Sequence, residues 1–137
     1  MSNITIKNYN ESTDAESLFA LMHLEDDWGD YLSDDGNQRY KIALKQSTTF
    51  VLYEGDNCCG FIRVKDDFGF WVNIYDLLVG KLHRGKNYGK MLIEHVCKTF
   101  EGCSVCTLSD VDGYYTKAFR DAQIIGSVIE LQKGKSK

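Results

Sequence analysis

The chain has 137 residues, of which 43% are hydrophobic and 12% aromatic, and a formal net charge of −4. That is enough apolar material for one buried core, and the overall charge has the wrong sign for general nucleic-acid affinity. No run approaches the roughly 18 apolar residues of a membrane span, and Met1 to Ile6 lacks the basic patch and apolar stretch of an export signal. The expectation is therefore a single cytoplasmic domain over 1–137, with neither nucleic acid nor membrane as a partner. An odd number of cysteines, five, argues against a disulfide framework. Cys103 and Cys106 have redox or zinc spacing but fall on a strand, where residues three apart face opposite ways. Cys58 and Cys59 face apart for the same reason, so buried reduced thiols and no metal site are expected.

In chain order, Ile4 to Tyr9 reads as an opening strand. Thr13-Asp14-Ala15-Glu16 has the form of a capping box, and Leu18, Leu21 and Met22 follow at helical spacing, in a helix ending near Glu25. A second helix is expected over Gln38 to Lys45, with Tyr40, Ala43 and Leu44 on one face. The period then changes. Thr48 to Tyr53, Cys58 to Lys65 and Phe70 to Val79 form an antiparallel meander across turns at 54–57 and 66–69. Gly89, Leu92, Ile93, Val96, Cys97 and Phe100 mark an amphipathic helix, which Gly102 should stop. A strand Ser104 to Leu108, a short helix Asp112 to Arg120 and a last strand Ile124 to Leu131 complete the reading. The fold class is α/β, with a mixed, mostly antiparallel sheet and helices on both faces.

The informative stretch is 74–92, IYDLLVGKLHRGKNYGKML, where a buried strand passes through a basic, glycine-bearing loop into the amphipathic helix. Free N–H groups in a first helical turn, backed by the helix dipole, bind anions. Lys81, His83, Arg84, Lys86 and Lys90 concentrate positive charge there in an acidic protein, which points to a polyanionic ligand; a solvated connection is the alternative. A Walker loop is absent because no Gly-Lys-Ser/Thr occurs, and a dinucleotide fingerprint fits poorly after an antiparallel meander.

Arg84-Gly85-Lys86-Asn87-Tyr88-Gly89 resembles the pyrophosphate loop of the GNAT N-acetyltransferase superfamily, Arg/Gln-x-x-Gly-x-Gly/Ala. Leu77-Leu78-Val79 before it and Lys90-Met91-Leu92 after it also fit, and the order of elements matches over nearly the whole chain. Asn87 replaces the first glycine, and asparagine is the side-chain-bearing residue most tolerant of positive φ. Lys81 stands where proline is common. The resemblance implies acetyl-coenzyme A (acetyl-CoA) as co-substrate, with its pyrophosphate on the amides of Arg84, Gly85, Lys86, Asn87, Tyr88, Gly89 and Lys90. It implies further that the Leu78 and Val79 backbone runs beside the pantetheine arm.

Direct attack of an amine on a thioester needs a base for the ammonium and gains from an acid at the sulfur. Asp76 is the single charge in the apolar run Ile74 to Val79, and a carboxylate there is costly without a partner or a task. Its position before Val79 matches where the family often has an acidic residue; the alternative is a water-lined strand face. The Val79 N–H is the expected oxyanion donor. For the acid, 113–119 resembles the family's Tyr-x-x-x-Gly-Phe segment. Counting back from Phe119 selects Tyr114, with Ala118 in place of the glycine, whereas a Tyr-x-Lys match selects Tyr115. Glu25, Asp26, Asp27, Asp30, Asp34 and Asp35 cluster with no Lys or Arg between them, interleaved with Trp28 and Tyr31. Carboxylates and aromatics suit a cationic amine, which makes Asp26, Asp27, Trp28 and Tyr31 acceptor-site candidates; a solvated acidic loop is the alternative. The expected activity is acetylation of a small cationic amine. A protein N-acetyltransferase and a non-catalytic coenzyme A-binding module remain open, as does a homodimer.

Overall fold

The computed structural model describes residues 3–109 and 112–134. Strand β1 (Ile4–Asn8) leads into helix α1 (Glu11–His23), a short helix α2 (Gly29–Leu32) and helix α3 (Asp34–Gln46). Strands β2 (Thr48–Glu54), β3 (Asn57–Asp66) and β4 (Trp71–Val79) follow. After a 3-10 turn (Lys81–His83) come α4 (Tyr88–Thr99), β5 (Ser104–Thr107) and α5 (Asp112–Ala118). The strands form one sheet in the order β1-β2-β3-β4-β5; β1 to β4 run antiparallel, and β5 is parallel to β4.

Local chemistry sets the helix starts. The Asn10 side chain accepts the Ser12 N–H at 3.0 Å, so α1 begins at Glu11, ahead of the expected Thr13 box. The Asp14 carboxylate instead accepts from the Asn10 N–H, Lys7 and Tyr53, which ties the helix start to β1 and β2. Ser33 caps α3 by accepting the Gly36 N–H at 3.2 Å, which lengthens that helix N-terminally from the expected Gln38 to Asp34.

The sheet is covered on both faces. On one, Leu18, Leu21 and Met22 of α1 and Tyr40 and Leu44 of α3 pack on Val51, Phe61 and Leu78. On the other, Leu92, Ile93 and Val96 of α4 pack on Phe50, Leu52, Ile62, Val64, Val72 and Ile74. The alternation is broken once within β4: Asp76 pairs with Arg63 and Ile74 with Val64, leaving Tyr75 as an extra residue. Val72 and Ile74 therefore point toward α4, whereas Asp76 and Leu78 beyond the bulge point toward α1 and α3.

Two expectations are corrected. Ile124 to Leu131 forms no strand, and its apolar side chains are exposed. Strand patterning alone cannot order a segment that has no neighbouring strand to pair with. Cys97 lies on the exposed side of α4 rather than in the core. All five cysteines are free; burial pushes the Cys58 thiol up to about 11 and raises that of Cys59, so both stay protonated. Among the described residues, no helix is long and apolar enough to cross a membrane, and no group of three or more metal-ligating side chains occurs.

Candidate active site

The site begins where β4 loses its neighbour. Pairing with β5 runs from Trp71↔Ser104 to Ile74↔Thr107 and stops, while β4 continues to Val79. Gly80 N–H bonds the Cys59 carbonyl of β3 at 2.9 Å. By the alternation of an antiparallel ladder, the Val79 N–H and C=O then face the other, uncovered edge. Arg84 Nε donates to that carbonyl at 3.0 Å, which folds the basic loop against the end of the strand.

The loop turns into α4 through two residues at positive φ, Gly85 at 81° and Asn87 at 65°. Asn87 has left-handed helical geometry, and its side chain makes no capping bond. The first bond back into the helix is Met91 N–H to Asn87 C=O at 3.0 Å. The amides of Tyr88, Gly89 and Lys90 thus have no intrahelical partner and stand at the positive end of the helix dipole.

The two tyrosines of α5 separate here. A Cβ placed on Gly89 would sit 3.5 Å from the Tyr114 hydroxyl and 3.7 Å from Val79 Cγ2, so Tyr114 reaches the junction of β4 and α4. Tyr115 packs against the core beneath α4, edge-on to Tyr114 with centroids 5.2 Å apart.

Acidic residues hold the loop cations. Glu25, its side chain 7% exposed, accepts from Arg84 Nη2 at 2.6 Å and from the Lys81 N–H at 3.3 Å. Lys81 Nζ lies 3.9 Å from Asp26, and Lys86 Nζ 3.5 Å from Glu54. The Tyr88 hydroxyl also donates to Glu54; that bond holds the Glu54 carboxyl below its usual range and pushes the phenol up to about 12. Lys90 lies over the Phe119 ring.

Asp76 is buried at 8% exposure, on the α1–α3 face. Its Oδ2 accepts from Tyr40 Oη at 2.7 Å and Arg63 Nε at 2.6 Å. Arg63 also donates to Ser47 Oγ and lies over the rings of Tyr40 and Tyr75. Burial works against the Arg63 charge, but the Asp76 carboxylate more than offsets it and holds the guanidinium pKa above normal. Burial, then the Asp76 charge, pushes the Tyr40 phenol well above its ordinary range. Removing one partner of such a pair leaves a buried charge unmatched, at a cost of about 3–5 kcal/mol.

Tyr40 and Arg63 also line a cavity of about 290 Å³ whose wall includes Asp30, Tyr31, Asp35 and Arg39. Of the expected acceptor residues, Tyr31 lines it and stacks on Tyr40 at 4.4 Å. Trp28 packs on Phe61 and Tyr31 beside the cavity, and Asp27 is exposed. The structure brings together Val79, the 84–90 loop and Tyr114, and on the other face of β4 Asp76 and Tyr31. Asp26 and Asp27 stand outside the cavity wall. Sequence reasoning passed over Arg63 and Tyr40. Arg63 carries the available signal, an opposite charge in the apolar strand before the one that holds Asp76.

Where β4 and β5 part, the bulged strand ends beside the uncapped start of α4, an arrangement able to take an anionic, phosphate-bearing ligand. The Acetyltransferase (GNAT) family model matches residues 14–118, and the chain belongs to that family of acetyl-CoA-dependent N-acetyltransferases. No curated protein sequence matches significantly. Among solved structures, the aminoglycoside N-acetyltransferase AAC(6')-Iy in complex with CoA is similar at TM-score 0.73 and 19% identity, over 97% of this chain and 96% of that one. Glucosamine-6-phosphate N-acetyltransferase from Arabidopsis thaliana is similar at TM-score 0.62 and 18% identity, over 95% and 99%. A GNAT-family protein from Xanthomonas campestris pv. campestris is similar at TM-score 0.65 and 21% identity, over 93% and 95%.

Proposed function

We propose that this chain transfers the acetyl group of acetyl-CoA to a primary amine of a small cationic molecule. The observation that carries the reading is the meeting of three features: the uncovered edge of β4, the open amides at the start of α4 and the Tyr114 hydroxyl above Gly89. Amides and side chains from Arg84 to Lys90 would hold the pyrophosphate, with Arg84 exchanging part of its bond to Glu25 for phosphate. The strand end at Leu78–Val79 would align the pantetheine arm, with Val79 presenting the uncovered edge, and the Val79 N–H would polarise the thioester carbonyl.

Acetyl-CoA supplies an activated acyl carbon. An alkylammonium of pKa about 10.4 must lose its proton first, at a cost of about 4–5 kcal/mol at neutral pH. Asp76 takes that proton through a water, Tyr40 and Arg63 linking it to the cavity wall. The amine nitrogen bonds the carbonyl carbon, the C–S bond breaks, Tyr114 gives its proton to the leaving thiolate, and the second proton shed by the nitrogen returns through water to the Tyr114 phenolate. At the cavity Asp30 and the Tyr31 ring offer a carboxylate and an aromatic face to a cation, while Asp35 is paired with Arg39 at 3.6 Å and Arg63 with Asp76. Acetyl transfer to aminoglycosides and to glucosamine 6-phosphate, named for two structural neighbours, is consistent with a small amine acceptor.

The test is release of free thiol from acetyl-CoA against a panel of polyamines, amino sugars, neutral amines and peptides. Turnover with cationic small amines is expected. Turnover with peptides alone would replace the acceptor class, and thiol release with none, despite cofactor binding, would mean a binding module.

A further inference from the structure

Exposed aromatic surface is concentrated in one stretch of the chain. Among the described residues Phe68, Phe70, Trp71, Tyr75 and Tyr114 are the exposed aromatics, and all but Tyr114 lie between 68 and 75. Phe68 and Phe70 belong to the turn between β3 and β4, whereas Trp71 and Tyr75 stand on β4 itself. Val72 and Ile74 point toward α4, so alternation and the bulge set Trp71, Asn73 and Tyr75 on the opposite face with Asp76. There α1 and α3 cover Val51, Phe61 and Leu78 and leave Trp71, Asn73 and Tyr75 exposed. Tyr75 is the first residue of β4 beyond its last pair with β5, Ile74↔Thr107. Its ring lies 5.3 Å from the Arg63 guanidinium, and Arg63 lines the proposed acceptor cavity and also lies 5.4 Å from the Tyr40 ring. The open strand face is therefore continuous with the cavity through Arg63.

One side of the Tyr75 ring is taken by a guanidinium whose charge Asp76 matches at 2.6 Å, and the residue remains 57% exposed. A ring already engaged by one cation attracts a second less, but its free side can bury the C–H face of a saturated ring. Asn73, next on the same face, offers an amide to hydroxyl groups, and Trp71, about 13 Å from Tyr75 along the strand, offers a second aromatic surface. Lys65, exposed and paired in register with Asn73, opposes further positive charge there. We infer, on the acetyl-transfer reading above, that the acceptor amine is carried on a hydroxylated ring, an amino sugar by chemical class, and that Tyr75 selects it by stacking against that ring beside Asp76. A further neutral sugar would extend over Asn73 to Trp71. A linear polyamine has no ring face for Tyr75 and would bring its outer charges toward Lys65.

The experiment is isothermal titration calorimetry of the full chain with excess coenzyme A, using glucosamine, lactosamine (one amine on two linked rings) and spermidine as probes. The expected order of affinity is lactosamine, then glucosamine, then spermidine. Tyr75→Ala should weaken both sugars about 10-fold and spermidine little, and Tyr75→Phe should restore sugar binding. Trp71→Ala should weaken lactosamine alone. Each variant should keep the coenzyme A affinity of the parent, which a displaced β4 would not. Spermidine bound at least as tightly as the sugars would overturn the inference, as would failure of both sugars to bind. A Tyr75→Ala effect that is absent, or equal for all three probes as a structural role would make it, would overturn it too. Thiol release from acetyl-CoA is followed with the same probes. Sugar binding that depends on Tyr75 without thiol release upholds the inference and removes the transfer reading; thiol release with spermidine alone does the reverse.

Discussion

Tyr114 and Tyr115 are neighbours in sequence whose rings meet different surroundings, and the proposed acid role rests on that difference. The Tyr114 hydroxyl stands over Gly89 and Val79, at the end of the uncovered strand edge; the Tyr115 ring fills the core under α4. Tyr114→Phe should lower kcat by about 10²–10⁴-fold with little change in KM for acetyl-CoA, as loss of a general acid does. Tyr115→Phe keeps the ring and should stay near wild-type kcat. Steady-state kinetics of the two variants checks this, and near-neutral behaviour of both would remove the tyrosine from the mechanism. Asn87 makes a second residue-scale case. At φ 65° it holds a conformation that costs a β-branched residue about 1–2 kcal/mol or more. Asn87→Gly should keep coenzyme A affinity, and Asn87→Val should weaken it markedly by calorimetry. Sequence could anticipate this because asparagine in place of glycine already suggests positive φ. It could not read the surroundings of Asp76. The bonds to Arg63 and Tyr40 cross strands and layers, and that register is absent from local pattern.

At the scale of elements, β4 decides the site. Its bulge at Tyr75 turns Asp76 toward α1 and α3, and its extension past the last β5 pair gives Val79 an open edge. Gly60 in β3 lets the end of β4 approach closely: a Cβ there would lie 2.6 Å from the Leu78 carbonyl oxygen and 3.3 Å from Val79 Cα, both backbone atoms. Gly60→Ala should therefore displace β4. The expected outcome is a loss of about 1–3 kcal/mol of stability, as for other overpacked positions, with a rise in KM for acetyl-CoA. Thermal unfolding and kinetics on one preparation would check it, and an unchanged KM would mean the strand end is not part of the cofactor site. β4 and α4 were legible because their periods of two and 3.6 are carried by buried side chains such as Val72, Ile74, Leu92 and Val96, whereas β2 and β3, buried on both faces, were legible from β-branched and aromatic composition between turns. The bulge was not, since it is a mismatch between two strands. The 124–131 segment has the composition of a strand but pairs with none of the strands among the described residues.

For the whole molecule, a net charge of −4 coexists with a cation-rich loop, and the acidic residues are divided between two tasks. Glu25, Asp26 and Glu54 balance Arg84, Lys81 and Lys86 around the helix start, while Asp30 and Asp35 border the cavity. The acidic segment that reads from sequence as one acceptor patch is thus split, because the turn after α1 carries Glu25 back to the β4–α4 loop. The most direct test of the central claim is a crystal structure of the full chain grown with coenzyme A. The account predicts pyrophosphate oxygens within hydrogen-bond distance of amides between Gly85 and Lys90, with Asn87 still at positive φ. It also predicts the pantetheine arm along the Leu78–Val79 edge and the sulfur near Tyr114 Oη. Coenzyme A bound away from the start of α4, or with its sulfur remote from both Val79 and Tyr114, would contradict it.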